Sequence, residues 1–167
     1  MRLTLNWLKE YVDVDLEPEA LGRMLTMAGL EVEALEPLGQ GLDGVVTARV
    51  VSVEQHPNAD RLTLCRVEAG EGEVEVVCGA PNVREGMVTA YAPPGIRLPD
   101  GRAVKETRIR GQASTGILLA EDEIGLTDDH SGVMDLHAGP APGTPLNRVL
   151  DVEDWAFEIG LTPNRPD

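Results

Sequence analysis

The sequence predicts a mainly β chain, α+β overall, in which a five-stranded antiparallel β-barrel is inserted in a small, discontinuous α/β domain. Three observations predict it. Between Val45 and Leu119, short apolar or alternating runs follow one another, separated by turn formers, with no long helical stripe between them. Helical spacing of apolar residues is concentrated near the start, where Trp7, Leu8, Tyr11 and Val12 form one set and Leu21, Met24, Leu25 and Ala28 a second. Beyond Gly143, Trp155, Phe157 and Ile159 have too little sequence around them to be buried locally, so this segment is expected to pack on the opening residues.

The first part of the small domain, residues 1–38, reads as two short helices and a strand. Pro18 opens the second helix at its first turn, where a missing N–H costs nothing, and Gly29 closes it. Leu30 to Leu35 then alternates as a half-buried strand. Residues 39–150 are assigned to the barrel, entered through a linker from Gly39 to Gly44. Strands are expected over 45–53, 62–69 and 74–78, the last two forming a hairpin across Gly70-Glu71-Gly72. Further strands are expected over 87–92, around 107–109 and over 116–119, with a long connection from Pro93 to Glu106. Many short strands without helices between them imply a closed sheet. The five-stranded OB-fold suits this length, and its loops between strands 1 and 2 and between strands 4 and 5 commonly hold oligonucleotides. Residues 151–167, acidic and helix-like, are assigned to the returning, truncated part of the small domain, and the chain is expected to be a piece of a longer one.

A net charge of −15 opposes polyanion binding over the surface as a whole, because phosphate affinity is supplied by Lys and Arg. Any nucleic-acid site must be local. The stretch holding Arg97, Arg102, Lys105, Arg108 and Arg110 contains only Asp100 and Glu106 as acids, a basic island in an acidic chain. Cys65 and Cys78 form neither a disulfide framework nor a zinc-finger spacing, which favours a reducing, cytoplasmic setting. No run approaches the roughly 18 apolar residues of a membrane span, so no membrane partner is expected.

The loop His56-Pro57-Asn58-Ala59-Asp60-Arg61-Leu62 joins the first two barrel strands, and its turn formers bring Arg61 to a barrel rim within reach of a phosphate. The later connection supplies Arg97, Arg102 and Lys105. The strand after it ends in Arg108 and Arg110, and Ser114 and Gly116 are expected to offer hydroxyl and backbone donors to a sugar or phosphate. Asn82 is a further polar candidate, or a local backbone cap. Tyr91 is the barrel's one aromatic candidate for base stacking. Folded RNA, read by shape, phosphates and 2′-hydroxyls, is therefore the expected ligand.

Other signals fail on chemistry. Gly39-Gln40-Gly41-Leu42-Asp43-Gly44 matches GxGxxG but leads into a strand rather than a helix. Asp129, His130 and Ser131 are consecutive and cannot easily converge into a nucleophilic relay. Glu121-Asp122-Glu123 is explained by the start of a short helix, without Mg2+. No catalytic residue and no metal ligand are assigned.

The motifs 56–62, Val77-Cys78-Gly79-Ala80-Pro81-Asn82 and Arg108-Ile109-Arg110-Gly111 with Ser114 and Gly116 together resemble the tRNA-binding OB domain of aminoacyl-tRNA synthetases. Four further stretches narrow the resemblance to bacterial phenylalanyl-tRNA synthetase β subunits. They are Trp7 to Val12, Met27 to Glu33, Asp128 to Gly132, and Thr162 to Asp167, so the likeness covers the whole chain. It implies tRNA(Phe) as ligand, a catalytic α subunit as partner in an α2β2 assembly, and ATP and Mg2+ for the intact enzyme, with no cofactor in this segment. Editing and anticodon modules would lie beyond Asp167. The family often has Lys where Arg61 stands and Met where Ile117 stands, changes that keep the charge and the apolar character. Two alternatives stay open: another OB-type tRNA-binding protein, or a structural module for interdomain or subunit assembly with little RNA binding of its own.

Overall fold

A computed structural model of the chain describes residues 1–137 and 139–160. In chain order its elements are β1 (Arg2–Thr4), α1 (Leu5–Lys9), α2 (Pro18–Met27), β2 (Val32–Leu38), β3 (Val46–Gln55), β4 (Thr63–Glu68) and β5 (Glu73–Cys78). Then follow β6 (Val88–Ala92), β7 (Thr107–Ile109), β8 (Gln112–Ser114), β9 (Ile117–Leu118), a 3-10 turn at Asp122–Ile124, α3 (Leu146–Leu150) and β10 (Asp154–Ile159). They form two compact units, one of Met1–Gln40 with the segment from Val152, the other Gly41–Asp151.

In the first unit β10 lies between β1 and β2, antiparallel to both. The helix-like reading of this returning segment is thereby corrected. Trp155, Phe157 and Ile159 fall on every second residue, the strand period, and that pattern overrides the acidic composition around them. Phe157 and Ile159 are fully buried against Leu5 and Leu21. α2 begins with Pro18 at its first turn and ends before Gly29, whose φ of +92° suits a residue without Cβ.

α1 is shorter than the spacing of Trp7, Leu8, Tyr11 and Val12 suggests. Thr4 caps it, its Oγ1 accepting the Trp7 N–H at 3.3 Å, but the helix stops at Lys9 ahead of Val12-Asp13-Val14-Asp15, a run of poor helix formers. Tyr11 and Val12 consequently stay exposed, and the Trp7 and Tyr11 rings meet edge-on with centroids 5.7 Å apart.

The second unit is a five-stranded antiparallel sheet in the order β5-β4-β3-β6-β9, curled into a nearly closed barrel consistent with an OB-like domain, as the sequence predicts. β3 pairs with β6 through its first half and with β4 through its second, and an irregularity between Val50 and Ser52 lets it turn the corner. Ala48, Val50, Cys65, Val67, Val76, Cys78 and Tyr91 fill the interior, while Arg66 and Glu68 alternate outward on β4. On the far side the Thr115 N–H bonds to the Glu75 carbonyl at 2.8 Å, bringing the chain after β8 against β5.

Two features lie beyond the sequence reading. β7 is followed by a partner, β8, across the two-residue turn Arg110-Gly111. The connection from Pro93 to Glu106 is itself a small hairpin, with Arg97 bridged to Ala103, and it buries Leu98 and Val104.

Candidate nucleic-acid interface

The β3–β4 loop is held from three directions. At its base the His56 N–H bonds to the Leu62 carbonyl at 3.1 Å. From the end of β3, Gln55 Nε2 is shared among the carbonyls of Ala59, Asp60 and Leu62, at 3.0 to 3.3 Å. The third hold is with the β7–β8 hairpin. His56 is only 2% exposed, and its Nδ1 accepts the Asn58 N–H at 3.0 Å. That leaves Nε2 to donate to the Ile109 carbonyl at 3.0 Å, which assigns a neutral ring protonated on Nε2.

Asn58 completes the fastening. Its Nδ2 donates to the Arg110 carbonyl at 3.1 Å, and Arg110 Nη1 donates back to the Asn58 carbonyl at 3.2 Å. Arg110 and Gly111 have φ of +48° and +95°, so the hairpin turns with two consecutive left-handed residues. Such a turn favours Asn or Gly at its first position, and an arginine there carries strain of about 1 kcal/mol.

Arg61 is exposed on the fastened loop, and Arg108 is exposed on β7 of the hairpin it is fastened to. Neither engages an acid among the described residues. The expected clamp divides at this point. Arg97 and Arg102 sit on the 93–106 hairpin, which no hydrogen bond among the described residues ties to the 56–62 loop. Arg97 bonds to the Gly101 carbonyl at 2.7 Å. Arg102 bonds to Asp100 and to Glu123, both at 2.6 Å. The Glu123 hydrogen bond holds that guanidinium more firmly charged than usual, and Asp100 is held below the ordinary carboxylate range by the Arg102 N–H and side chain. Lys105 is exposed where this hairpin runs into β7.

Two expected ligands are occupied within the protein. Ser114 is 2% exposed; its Oγ accepts the Val77 N–H at 3.0 Å and donates to the Gly116 carbonyl at 3.1 Å, so it offers no hydroxyl to a sugar. Gly116 is likewise buried, and a Cβ there would strike the Ala92 carbonyl and the Tyr91 ring. Asn82 grips Val133, donating from Nδ2 to its carbonyl at 2.7 Å and accepting its N–H at 2.9 Å. Its role as a backbone cap prevails because both ends of the amide find backbone partners at once.

Tyr91 is 3% exposed and donates its hydroxyl to the Thr115 carbonyl at 2.8 Å; burial pushes its pKa up, with Glu106 adding to the shift. It offers no ring to a base. His130 bonds to Asp122 at 2.7 Å, while Asp129 accepts the Ser131 N–H at 2.8 Å and is held below the usual carboxylate range by Ser131. These are the contacts of a polar turn rather than of a relay. Among the described residues no set of three or more His, Cys, Asp or Glu side chains is arranged to hold a metal ion.

Gln55, His56 and Asn58 are the residues the sequence reading left out of the site. His56 and Asn58 stand in the loop motif, where Asn and Pro signal a turn, but nothing in the spacing points to a hairpin more than 50 residues away as their partner.

Residues 45–145 match the family model described as a putative tRNA binding domain. Over all 167 residues the chain is 50% identical to the phenylalanine-tRNA ligase beta subunit of Syntrophotalea carbinolica and 46% identical to that of Syntrophus aciditrophicus. Over an alignment of 168 residues it is 48% identical to that of Anaeromyxobacter dehalogenans. In each case the whole chain is matched but only 21% of the relative, so it spans about a fifth of these proteins' length.

Proposed function

This chain belongs to the putative tRNA binding domain family, and from that membership we propose that it is the tRNA-binding, non-catalytic N-terminal region of a phenylalanine-tRNA ligase β subunit. One observation carries the reading at the level of residues: Arg61 stands on a loop fastened to the hairpin that bears Arg108 and Arg110. These cations belong to an otherwise acidic chain, which concentrates phosphate attraction at one place. With Tyr91 enclosed, the ligand is met through phosphates and ribose hydroxyls instead of stacked bases.

Arg61, Arg108 and Arg110 form the centre of the proposed interface. Arg97 and Lys105 form a second, peripheral group. Arg102, Asn82 and Ser114 support the backbone around them. In the intact protein, residues 1–38 and 151–167 would form one small domain carrying the barrel of 39–150. A catalytic α subunit would join the β subunit in an α2β2 cytoplasmic enzyme that uses ATP and Mg2+ to charge tRNA(Phe) with phenylalanine.

The test is binding of labelled tRNA(Phe) to this chain at low and moderate salt, beside the Arg61→Glu/Arg108→Glu double variant and an unstructured RNA of equal length. Saturable binding that prefers tRNA and disappears in the double variant supports the reading. Absent binding, or equal binding of both RNAs, favours the second reading, an architectural module of the β subunit. The Arg102 pairs with Asp100 and Glu123 favour that second reading, because they use a basic-island cation to hold the fold.

A further inference from the structure

We propose that His56 and Asn58 are positioning residues of the RNA interface, setting the separation of Arg61 from Arg108 and Arg110 so that the three cations meet the backbone phosphates of one folded RNA segment. The proposal rests on the tRNA-binding reading and deepens it. His56 is enclosed, and both ring nitrogens are used inside the protein, so it cannot itself touch RNA. Asn58 is exposed, but it spends its side chain on the Arg110 carbonyl and its own carbonyl on the Arg110 guanidinium.

What these two neutral residues do is join segments about fifty positions apart in the chain. Without the joint, the loop with Arg61 and the tip with Arg110 would move independently, and each phosphate contact would have to immobilise its own segment. The left-handed conformation of Arg110 supports the same conclusion. A turn built on an unfavourable residue persists where its surroundings over-determine it, and Asn58 grips that residue at both carbonyl and guanidinium.

A consequence separates positioning from charge. Removing a phosphate-binding arginine flattens the dependence of log affinity on log salt by about one unit. Asn58 carries no charge, so Asn58→Ala can flatten that slope only by displacing a cation. The experiment measures binding of labelled tRNA(Phe) over a salt series for the unaltered chain, Asn58→Ala, His56→Ala, Arg61→Ala and the Asn58→Ala/Arg61→Ala pair, with thermal melting of each. The expected result is a slope about one unit shallower for Asn58→Ala in a chain that still melts cooperatively, with Arg61→Ala costing less affinity in that background than alone.

An unaltered slope and full additivity for Asn58→Ala, in a chain whose binding does depend on Arg61 and Arg108, would overturn the positioning role and leave the tRNA reading standing. Failure of the unaltered chain to bind tRNA would remove both. If His56→Ala fails to fold, the exposed Asn58 still decides the question.

Discussion

Ser114 closes the barrel against Val77: its Oγ accepts the Val77 N–H at 3.0 Å and passes its own hydrogen to the Gly116 carbonyl. A side chain thus stands in for a strand partner at the seam where β5 meets the chain after β8. Ser114→Ala would leave a buried N–H unsatisfied and is expected to cost about 1–3 kcal/mol. Urea unfolding would measure the loss. At temperatures where the variant is folded, the salt slope of RNA binding should stay unchanged, which separates closure from contact.

Thr89 presents the opposite case. It is fully buried, and its Oγ1 has no hydrogen-bond partner among the described residues. Thr89→Val replaces an unsatisfied hydroxyl with a methyl of similar size, so stability should hold or rise by up to about 1 kcal/mol. A melting temperature several degrees lower would show that the hydroxyl is doing something in the barrel after all.

Cys65 and Cys78 are neighbours in the barrel core, on the paired strands β4 and β5. Donation from Cys78 lowers the Cys65 pKa to about 7, against the opposing effect of burial, while the second ionisation, at Cys78, is pushed up by Cys65 and by burial. Between about pH 7 and 9 the folded chain has released one thiol proton that the unfolded chain still holds, so stability rises with pH in that window. Above 9 the unfolded chain releases both protons and the folded chain only one, and stability falls. Cys78→Ala removes the donor and should abolish the rise, as read from urea midpoints at a pH on either side of 8.

Arg102 is tied to Asp100 and Glu123, so Arg102→Gln should leave the affinity for tRNA and its salt slope as they are, whereas Arg61→Gln should flatten the slope by about one unit. Equal effects of the two substitutions would return Arg102 to the interface.

In the smaller unit, Phe157 is fully buried and Trp7 is 51% exposed. Phe157→Ala is expected to cost about 3–5 kcal/mol, and Trp7→Ala well under about 1 kcal/mol. Chemical denaturation followed by circular dichroism would compare them.

The barrel is legible because its strands are short apolar or alternating runs and its turns carry Gly, Pro and Asn, all local signals. The returning strand is less legible because the acidic residues around Trp155, Phe157 and Ile159 mask their alternation. β8 carries no clear sequence signal because Arg110-Gly111 is an uncommon opening for a tight turn, tolerated through a side chain distant in sequence. Site residues divided by range in the same way. Arg61 and Arg108 could be picked out by charge and loop position alone. Ser114 and Asn82 looked available because a sequence does not reveal which N–H groups will need an acceptor, and those demands come from β5 and from Val133.

The pairing of Leu38 with Asp154 joins two strands between which the chain of the entire second unit is inserted. Closing so long a loop from a disordered chain would carry an entropic penalty of about 4 kcal/mol. The barrel removes much of that penalty once folded, because Val46 is bridged to Pro145 and its two ends are already side by side. A barrel already folded thus acts as a clasp, lowering the cost of assembling the three-stranded sheet on ends brought together for it.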